Sequence, residues 1–199
     1  MDRVTDIQRK GGVATVRFLS GEVLRVPSAL FLERRVRAGD LIDPGAYRLF
    51  MAQRGYPHAL ESAMKFLALR ERSEKEVRAR LRRSCYDEAA IQRVVDTLTG
   101  YGVLSDSRFA GEWARHRSRK YGRGRIAREL KMKGIESEEI KATLDALPEE
   151  EEYQSALAQA RKLVRRLQGD EKKIAQALIR RGYGFSLAKK AAGEALRGN

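Results

Sequence analysis

The chain has 199 residues, of which 41 are Lys or Arg and 27 are Asp or Glu, and its formal net charge is +14 at pH 7. This excess of positive charge attracts phosphate-rich polymers, although charge at this density also serves solubility alone. The single cysteine, Cys85, excludes an internal disulfide and a zinc site built from several cysteines. No stretch approaches the roughly 20 apolar residues of a membrane span, and the first residues lack the apolar segment of a signal peptide. We therefore expect a reducing, cytoplasmic location.

The first fifty residues show the alternation of apolar and polar side chains that is typical of strands. Turn residues, including Gly11-Gly12 and Gly21, separate the alternating stretches, so they predict a small antiparallel sheet. The predicted strands are residues 4–8, 13–19 and 22–26. Leu30, Phe31 and Val36 then indicate a short helix that Gly39 would end, and a second helix is predicted to begin near Asp43-Pro44.

From about residue 58 onward, apolar residues recur every three or four positions, which is typical of helices. One segment occurs three times, centred on Leu81, Leu130 and Leu178, at intervals of 49 and 48 positions. Repeats of roughly this length build arrays of two- or three-helix units. Each copy predicts three helices. In the first copy these are residues 58–70, 74–84 and 88–101.

The predicted helix ends use residues with suitable backbone chemistry. Gly134 and Gly182 stand where a helix can end through a left-handed residue, and Cys85 takes that position in the first copy. We therefore interpret Cys85 as a structural variant at a helix end and not as a nucleophile. Residues suited to cap helix N-termini are Ser73 with Glu76 in capping-box spacing, Asp87 and Asp106.

These patterns predict a mainly α-helical protein with tandem three-helix repeats in an elongated array and a small N-terminal module that contains β-strands. The predicted divisions are residues 1–52 for the N-terminal module, 53–103 for repeat 1, 104–148 for repeat 2 and 149–199 for repeat 3.

The residues that catalysis or metal binding would need are sparse. The two histidines, His58 and His116, have no evident partner, and nothing in the spacing favours a pair of His116 with Cys85. Residues 122–125 (Gly-Arg-Gly-Arg) lack the ending of a P-loop, so we interpret them as a helix linker whose backbone amides offer a modest anion site. The acidic run 149–152 is explained by a helix N-terminus. We expect no enzymatic activity, no metal and no cofactor.

Basic residues are concentrated on the predicted helices around the junctions of the repeats. Between Arg115 and Lys133 there are nine Lys or Arg residues and one acid, Glu129. Pairs one helical turn apart, such as Arg161 with Arg165, project from the same helical face. Such rows bind phosphates without reading base sequence. The candidate partner- or DNA-binding residues are Arg78, Arg82, Arg115, Arg119, Lys120, Arg123, Arg125, Arg128, Lys131, Arg161, Lys162, Arg165 and Arg166.

The aromatic residues offer less support for nucleic-acid binding. Phe109, Trp113, Tyr86 and Tyr183 fall on apolar helix faces, where core packing is favoured over base stacking. Tyr121 is the predicted exception.

Several of these positions together resemble the RecX family of bacterial regulatory proteins. The resemblance extends over roughly residues 58 to 196, and the N-terminal fifty residues look like the extra module of some members. The sequence departs from the family at Cys85, where Gly is usual, and at Gly184-Phe185, where an acidic cap is common. The matching segments are 73–77 (Ser-Glu-Lys-Glu-Val), Leu81, Tyr86, 102–106 (Gly-Val-Leu-Ser-Asp), Phe109-Ala110, Gly122, Arg125-Ile126, Glu129-Leu130, 133–135 (Lys-Gly-Ile) and 181–183 (Arg-Gly-Tyr).

The resemblance implies a modulator of the RecA recombinase. Such a modulator binds the RecA filament on single-stranded DNA, blocks its extension and lowers its ATPase and strand-exchange activities. The implied partners are therefore RecA and single-stranded DNA, with double-stranded DNA as a further candidate, and a monomer is expected. The alternative from the charge alone is a sequence-nonspecific nucleic-acid-binding protein without a RecA partner. A third reading, an inert scaffold, would bind neither. Reversing the charge of Arg119, Arg125 and Arg128 is expected to weaken partner binding and to leave the helical content intact.

Overall fold

The N-terminal part of the chain forms an antiparallel sheet, as the alternating pattern predicts. The structure is a computed structural model that describes residues 1–197. The strands are β1 (Asp2–Lys10), β2 (Val13–Phe18), β3 (Val23–Pro27) and β4 (Leu41–Ile42), in the spatial order β3-β2-β1-β4. The three predicted strands are confirmed. The edge strand β4 was not predicted, because it has only two residues and pairs only with Asp2 and Arg3.

The first helix is shorter than predicted. Helix α1 (Ser28–Glu33) ends at Arg34, so the prediction that Gly39 ends it is wrong. Gly39 has a left-handed φ of +96° and lies in the turn before β4, where its N–H donates to the carbonyl of Val4 (2.8 Å). The backbone of this turn is thus hydrogen-bonded to β1, and it cannot also continue the helix.

Helix α2 (Pro44–Leu67) is one continuous helix, where the sequence predicted one helix from Asp43-Pro44 and another over residues 58–70. That prediction is wrong because one stripe continues across the expected break, with buried Tyr47, Gly55, Ala59 and Ala63 at multiples of four positions. The stripe was missed because most of its members are small. A Cβ at Gly55 would lie 3.7 Å from Ala90 Cβ, so the small residues allow a close helix contact.

The rest of the chain forms the predicted groups of three helices, in which α2 is the first helix of the first group. The first group is completed by α3 (Glu74–Arg83) and α4 (Glu88–Gly100). The second is α5 (Asp106–Ser118), α6 (Arg123–Met132) and α7 (Ser137–Asp145), and the third is α8 (Glu149–Val164), α9 (Glu171–Arg180) and α10 (Phe185–Arg197). The chain divides into two compact units, of which the first is Met1–Ser105 and the second begins at Asp106. The four-part division predicted from the sequence stays a prediction.

Each compact unit has its own hydrophobic interior. In the first unit, one core joins sheet residues such as Val16 to helix residues such as Leu81 and Ile91. In the second unit, the second helix group packs around Phe109, Ile126 and Leu130, and the third packs around Leu157, Ile174 and Leu178. The fold class predicted from the sequence, mainly helical with a small β-containing module, is confirmed.

The three repeated helix ends have the same backbone geometry. Cys85, Gly134 and Gly182 all have left-handed φ angles, of 64°, 86° and 92°. In each copy, the next residue donates its N–H to the carbonyl of the repeated leucine, at 3.3, 3.1 and 3.3 Å. These bonds are the C-terminal capping pattern that a left-handed residue permits. The prediction for all three positions is confirmed.

Replacing Cys85 with glycine should therefore stabilise the first unit by about 1 kcal/mol, because an L-residue pays a steric cost in the left-handed region that glycine does not. Thermal unfolding followed by circular dichroism would measure the effect. Ser84→Gly is the matched control, since Ser84 has an ordinary φ of −81° and should only lose stability. Equal effects of the two substitutions would contradict the explanation.

The predicted helix N-termini are also largely as expected. Ser73 Oγ accepts from the N–H of Glu76 (3.3 Å), and Asp87 Oδ1 accepts from the N–H of Ala90 (2.8 Å). Asp106 is the first residue of α5, and the acidic run 149–152 forms the first turn of α8. Carboxylates at these positions favour helix formation through the positive end of the helix dipole.

Candidate anion-binding surface

The candidate basic residues fall into two classes in the structure. Four of them, Arg78, Arg82, Arg123 and Arg125, form ion pairs within the protein. The other nine are exposed, and within residues 1–197 none of them forms an ion pair. These nine, called here the open cations, are Arg115, Arg119, Lys120, Arg128, Lys131, Arg161, Lys162, Arg165 and Arg166.

In the first helix group, the predicted binding arginines connect α3 to its surroundings. Arg78 Nε donates to Glu74 Oε1 (2.6 Å), and its Nη2 donates to Gln92 on α4 (2.8 Å). Arg82 makes a two-pronged contact with Glu88 at 2.7 and 2.9 Å. Since their charges are balanced by neighbouring carboxylates, these two residues offer less to a polyanion than the sequence suggested. Their role in binding stays a prediction.

In the second unit, Glu129 on α6 organises the most basic segment of the chain. Its carboxylate accepts from Arg117 Nε (2.6 Å), Arg125 Nε (3.1 Å) and Trp113 Nε1 (3.1 Å). The Glu129 side chain is only 12% exposed. The hydrogen bond from Arg117 is the main reason that the pKa of the Glu129 carboxyl is lowered. The network therefore joins α5 to α6. It holds Arg117 and Arg125, two of the nine cations between Arg115 and Lys133, in ion pairs within the fold.

Glu129→Gln should destabilise the second unit by about 2 kcal/mol at neutral pH, because two partly buried guanidinium groups would lose their counter-charge. The lowered pKa means that the carboxylate contributes fully above the pKa it has in the unfolded chain, and that this contribution is lost as the pH falls through the lowered folded-state value. Urea unfolding at several pH values would test both points.

The matched control is Glu112→Gln on α5, because Glu112 is exposed and has no ion pair in the described part of the chain. It should leave stability nearly unchanged. A difference between wild type and Glu129→Gln that stays constant as the medium is acidified below the carboxylate range would contradict the assignment.

The start of α6 is closed to anions, so the predicted anion site at residues 122–125 is wrong. The N–H groups of Gly122 and Gly124 donate to the carbonyls of Arg181 (3.1 Å) and Gly182 (3.0 Å). The N–H of Arg123 donates to Glu152 Oε1 (3.0 Å). The amides are thus used to hold α6 against the end of α9, and a helix N-terminus without free N–H groups cannot bind phosphate.

Arg123 and Arg125 also have structural partners. Arg123 donates to the carbonyl of Leu147 (2.6 Å) and pairs with Glu152 (3.0 Å). The Arg125 guanidinium lies over the Tyr121 ring, 3.9 Å from its centroid, in addition to its bond with Glu129. Because charge reversal of Arg125 would place a second acid beside Glu129, it would perturb folding as well as binding. Of the three residues chosen from the sequence, Arg119 and Arg128 remain suitable for a binding test.

The end of α8 carries four open cations, and two of them continue a stripe that contacts neighbouring helices. Ser155 Oγ donates to the carbonyl of Ser118 at the end of α5 (2.7 Å), and Gln159 Oε1 accepts from Arg181 (3.1 Å). Lys162 follows on the same helical face, three residues after Gln159. Arg166 follows by one more turn, because Leu167 N still donates to Leu163 O (2.8 Å) beyond the end of α8.

Arg119 and Lys120 follow Ser118 directly in the chain, so they enter the surface next to this stripe. The Ser155 bond thus holds the end of α5, which precedes Arg119, against α8 about two helical turns before Lys162. The alignment of these cations stays a prediction, and the sequence analysis did not include Arg181, which donates to Gln159 on α8 (3.1 Å). The sequence signal that could have identified Arg181 is its place in the repeated segment, three positions after Leu178.

The aromatic residues are mainly structural, as predicted. Phe109, Tyr86 and Tyr183 are buried, and Trp113 stacks on Phe109 with ring centroids 5.7 Å apart. Tyr121, the predicted exception, is half-buried, and the guanidinium groups of Arg117 and Arg125 both lie over its ring. A role of Tyr121 in base stacking stays a prediction.

One of the two histidines has a carboxylate partner that the sequence did not indicate. His58 Nε2 lies 2.8 Å from Glu33 Oε2, and Cys85 is half-buried at its helix end. Among residues 1–197, no three His, Cys, Asp or Glu side chains are placed to hold a metal ion together. None of the helices over the same residues combines the length and the apolar character of a membrane span.

Comparison with known proteins identifies the family. A model of the first three-helix domain of RecX matches residues 59–98, and a model of its second three-helix domain matches residues 105–144. Regulatory protein RecX of Mycobacterium sp. (strain KMS) is 32% identical over 136 residues, which cover 63% of this chain and 74% of that protein. The chain belongs to the RecX family. The resemblance stated from the sequence is thereby confirmed.

More distant RecX proteins match over a larger part of the chain. Regulatory protein RecX of Clostridium botulinum (strain Alaska E43 / Type E3) is 27% identical over 178 residues, which cover 86% of this chain and 84% of that protein. The crystal structure of a regulatory protein RecX superimposes with a TM-score of 0.66 over the whole of both chains at 20% identity. That of RecX from Lactobacillus salivarius gives 0.62 over 73% of this chain and 96% of that one, at 24% identity. These two structures support the fold.

Proposed function

We propose that this RecX-family chain binds the RecA filament on single-stranded DNA and inhibits its extension, its ATPase and its recombinase activity. The observation that carries the proposal is membership of a family of regulatory proteins, because the resemblance of the sequence to that family implies action on RecA. In this proposal the protein is a cytoplasmic monomer that acts by binding and not by catalysis. The divisions 1–52, 53–103, 104–148 and 149–199 are proposed as its structural modules.

The open cations support a polyanionic partner. Nine exposed Lys and Arg residues without ion pairs in the described chain provide charge that folding leaves unbalanced. Single-stranded DNA and acidic protein surfaces both complement such charge. Contacts of this kind bind the backbone of a nucleic acid and carry no base preference.

The experiment is a measurement of RecA-dependent ATP hydrolysis on single-stranded DNA while this protein is added up to the concentration of RecA. We expect inhibition that persists when the DNA is in excess over the added protein. Inhibition that excess DNA abolishes would favour the second candidate, a nucleic-acid-binding protein without a RecA partner, which the net charge of +14 also supports. No inhibition at equal concentrations of the two proteins would contradict the proposal.

A further inference from the structure

The third helix group exposes an aromatic ring that its own core does not use. Phe185 is the first residue of α10, and its side chain is 71% exposed. In the described chain, no other ring and no cation contacts the Phe185 ring. Tyr86, Phe109 and Tyr183 are buried by comparison. A partner that covered this ring would remove its apolar surface from water, which favours binding.

The ring borders a cavity between α9 and α10. The cavity has a volume of about 590 Å³ and is lined on the α9 side by Lys172, Ala175 and Ile179, and on the α10 side by Phe185 and Lys189. Ile179 is itself 38% exposed. The lining thus combines three apolar side chains with one lysine from each helix, and Gln176, Asp170 and Glu171 complete it. Both lysines are exposed, and neither forms an ion pair within residues 1–197.

The two acids at the cavity do not cancel these lysines. Asp170 accepts from the N–H of Lys173 (3.0 Å) as the cap of α9, and its carboxylate pairs with Lys173 Nζ (3.1 Å). Glu171 approaches α10 near Gly193, where Arg197 also lies: a Cβ on Gly193 would be 3.6 Å from Glu171 Oε1 and 3.8 Å from Arg197 Nη2. Only Asp170 is therefore paired with a cation in the described chain, and the two lysines remain in excess over the single carboxylate of Glu171.

We propose that this cavity binds one nucleotide of a single strand, with its base stacked on the Phe185 ring and the adjoining phosphates on Lys172 and Lys189. An exposed aromatic ring that shares a cavity with two lysines complements a nucleotide, which has an aromatic base and a negative backbone. An amphipathic peptide helix would use the apolar surface but would not need a planar ring at the edge. The inference rests on the single-stranded DNA contact of the proposed function.

The test is the binding of the full chain, without RecA, to a fluorescent oligothymidylate, measured by anisotropy at several salt concentrations. Phe185→Ala should weaken binding about tenfold, within the range for the loss of one stacked base, and should leave the salt dependence unchanged. Phe185→Tyr should bind as wild type does. Phe185→Leu keeps apolar area without a planar ring, and it should be as weak as Phe185→Ala.

Substitution of the lysines should change the salt dependence of binding, which substitution of Phe185 should not. Lys172→Gln and Lys189→Gln should each reduce the slope of log affinity against log salt by about 0.7, the value for one phosphate contact on a single strand. The matched control is Tyr101→Ala, which removes another ring that is 81% exposed, in the first unit, and should leave binding unchanged. All these side chains are exposed, so the variants should fold.

Wild-type affinity of Phe185→Leu for the oligothymidylate would overturn the proposal, because binding would then not need a planar ring. Absence of oligothymidylate binding by the wild type would overturn it as well. Failure of the cavity proposal can be distinguished from failure of the RecA-inhibition proposal. The first is measured by DNA binding without RecA, and the second by ATP hydrolysis with RecA present. Inhibition of RecA without dependence of DNA binding on Phe185 would remove only the cavity site.

Discussion

Gly182→Ala is expected to destabilise the second unit by about 3 kcal/mol. Gly182 has a left-handed φ of +92°, and a Cβ there would lie 2.9 Å from Arg125 Cα and closer still to the Arg125 nitrogen. The substitution would combine left-handed strain with a clash against backbone that cannot rotate away. The amides of Gly122 and Gly124 would also lose their bonds to the end of α9. Urea unfolding followed by circular dichroism would measure the loss.

The matched control is Gly184→Ala, two residues further along, where an added Cβ would meet nothing within 4 Å. It should change the free energy of unfolding by less than about 0.5 kcal/mol. Gly122→Ala should resemble Gly182→Ala, because its Cβ would lie 2.5 Å from the carbonyl carbon of Gly182. Both substitutions break the same contact, between the start of α6 and the end of α9. Their effects on the free energy of unfolding should therefore not add in the double variant. Full additivity, or an unaffected Gly182→Ala, would contradict this view of the helix contact.

Replacing four open cations with glutamine is expected to weaken binding to single-stranded DNA by about a hundredfold or more at moderate salt. The four residues are Arg119, Lys120, Arg128 and Lys131, all exposed and without ion pairs in the part of the chain that the structure describes. If each contacts one phosphate, the slope of log affinity against log salt should fall by about 3. Because none of the four side chains supports the fold, helical circular dichroism should be unchanged.

The control for this experiment removes the same charge elsewhere. Lys10, Arg25, Arg35 and Arg37 are exposed in the N-terminal module, and changing them to glutamine alters the net charge equally. Equal losses of affinity in both variants would show that net charge alone determines binding, and would refute a localised surface. RecA inhibition should then be measured for both variants. A variant that binds DNA weakly but still inhibits RecA would show that the changed residues contact DNA and not RecA.

The sequence was most informative where one residue type has a single structural use. Left-handed helix ends at Gly134 and Gly182 follow from the freedom of glycine, and the repeat extended the same role to Cys85. The cap at Asp87 followed from its position before an apolar helix. Helix α2 was divided wrongly because Gly55, Ala59 and Ala63 carry little hydrophobic signal, although their small size is what lets α4 approach.

The candidate surface was predicted in composition but not in detail. Charge density identifies the segment around Arg115 to Lys133, yet whether a cation is free depends on tertiary contacts that the sequence does not display. Arg125 and Glu129 are four apart and could be expected to pair, whereas the bond from Arg117 to Glu129 requires α5 and α6 to pack. Closure of the α6 N-terminus by Gly182 involves residues about sixty positions apart. No local pattern reports such a contact.

Helix α2 has a consequence for deletions of the N-terminal sheet. Its 24 residues extend about 36 Å, with Tyr47 in its first half and Ala59 and Ala63 in its second half all buried in a core shared with the sheet. The Tyr47 hydroxyl also donates to the carbonyl of Arg34 (2.6 Å). A shortened chain that started at residue 53 would therefore begin inside α2 and lose Tyr47 and the sheet residues from this shared core. The sheet and the helices of the first unit should melt together in one cooperative step.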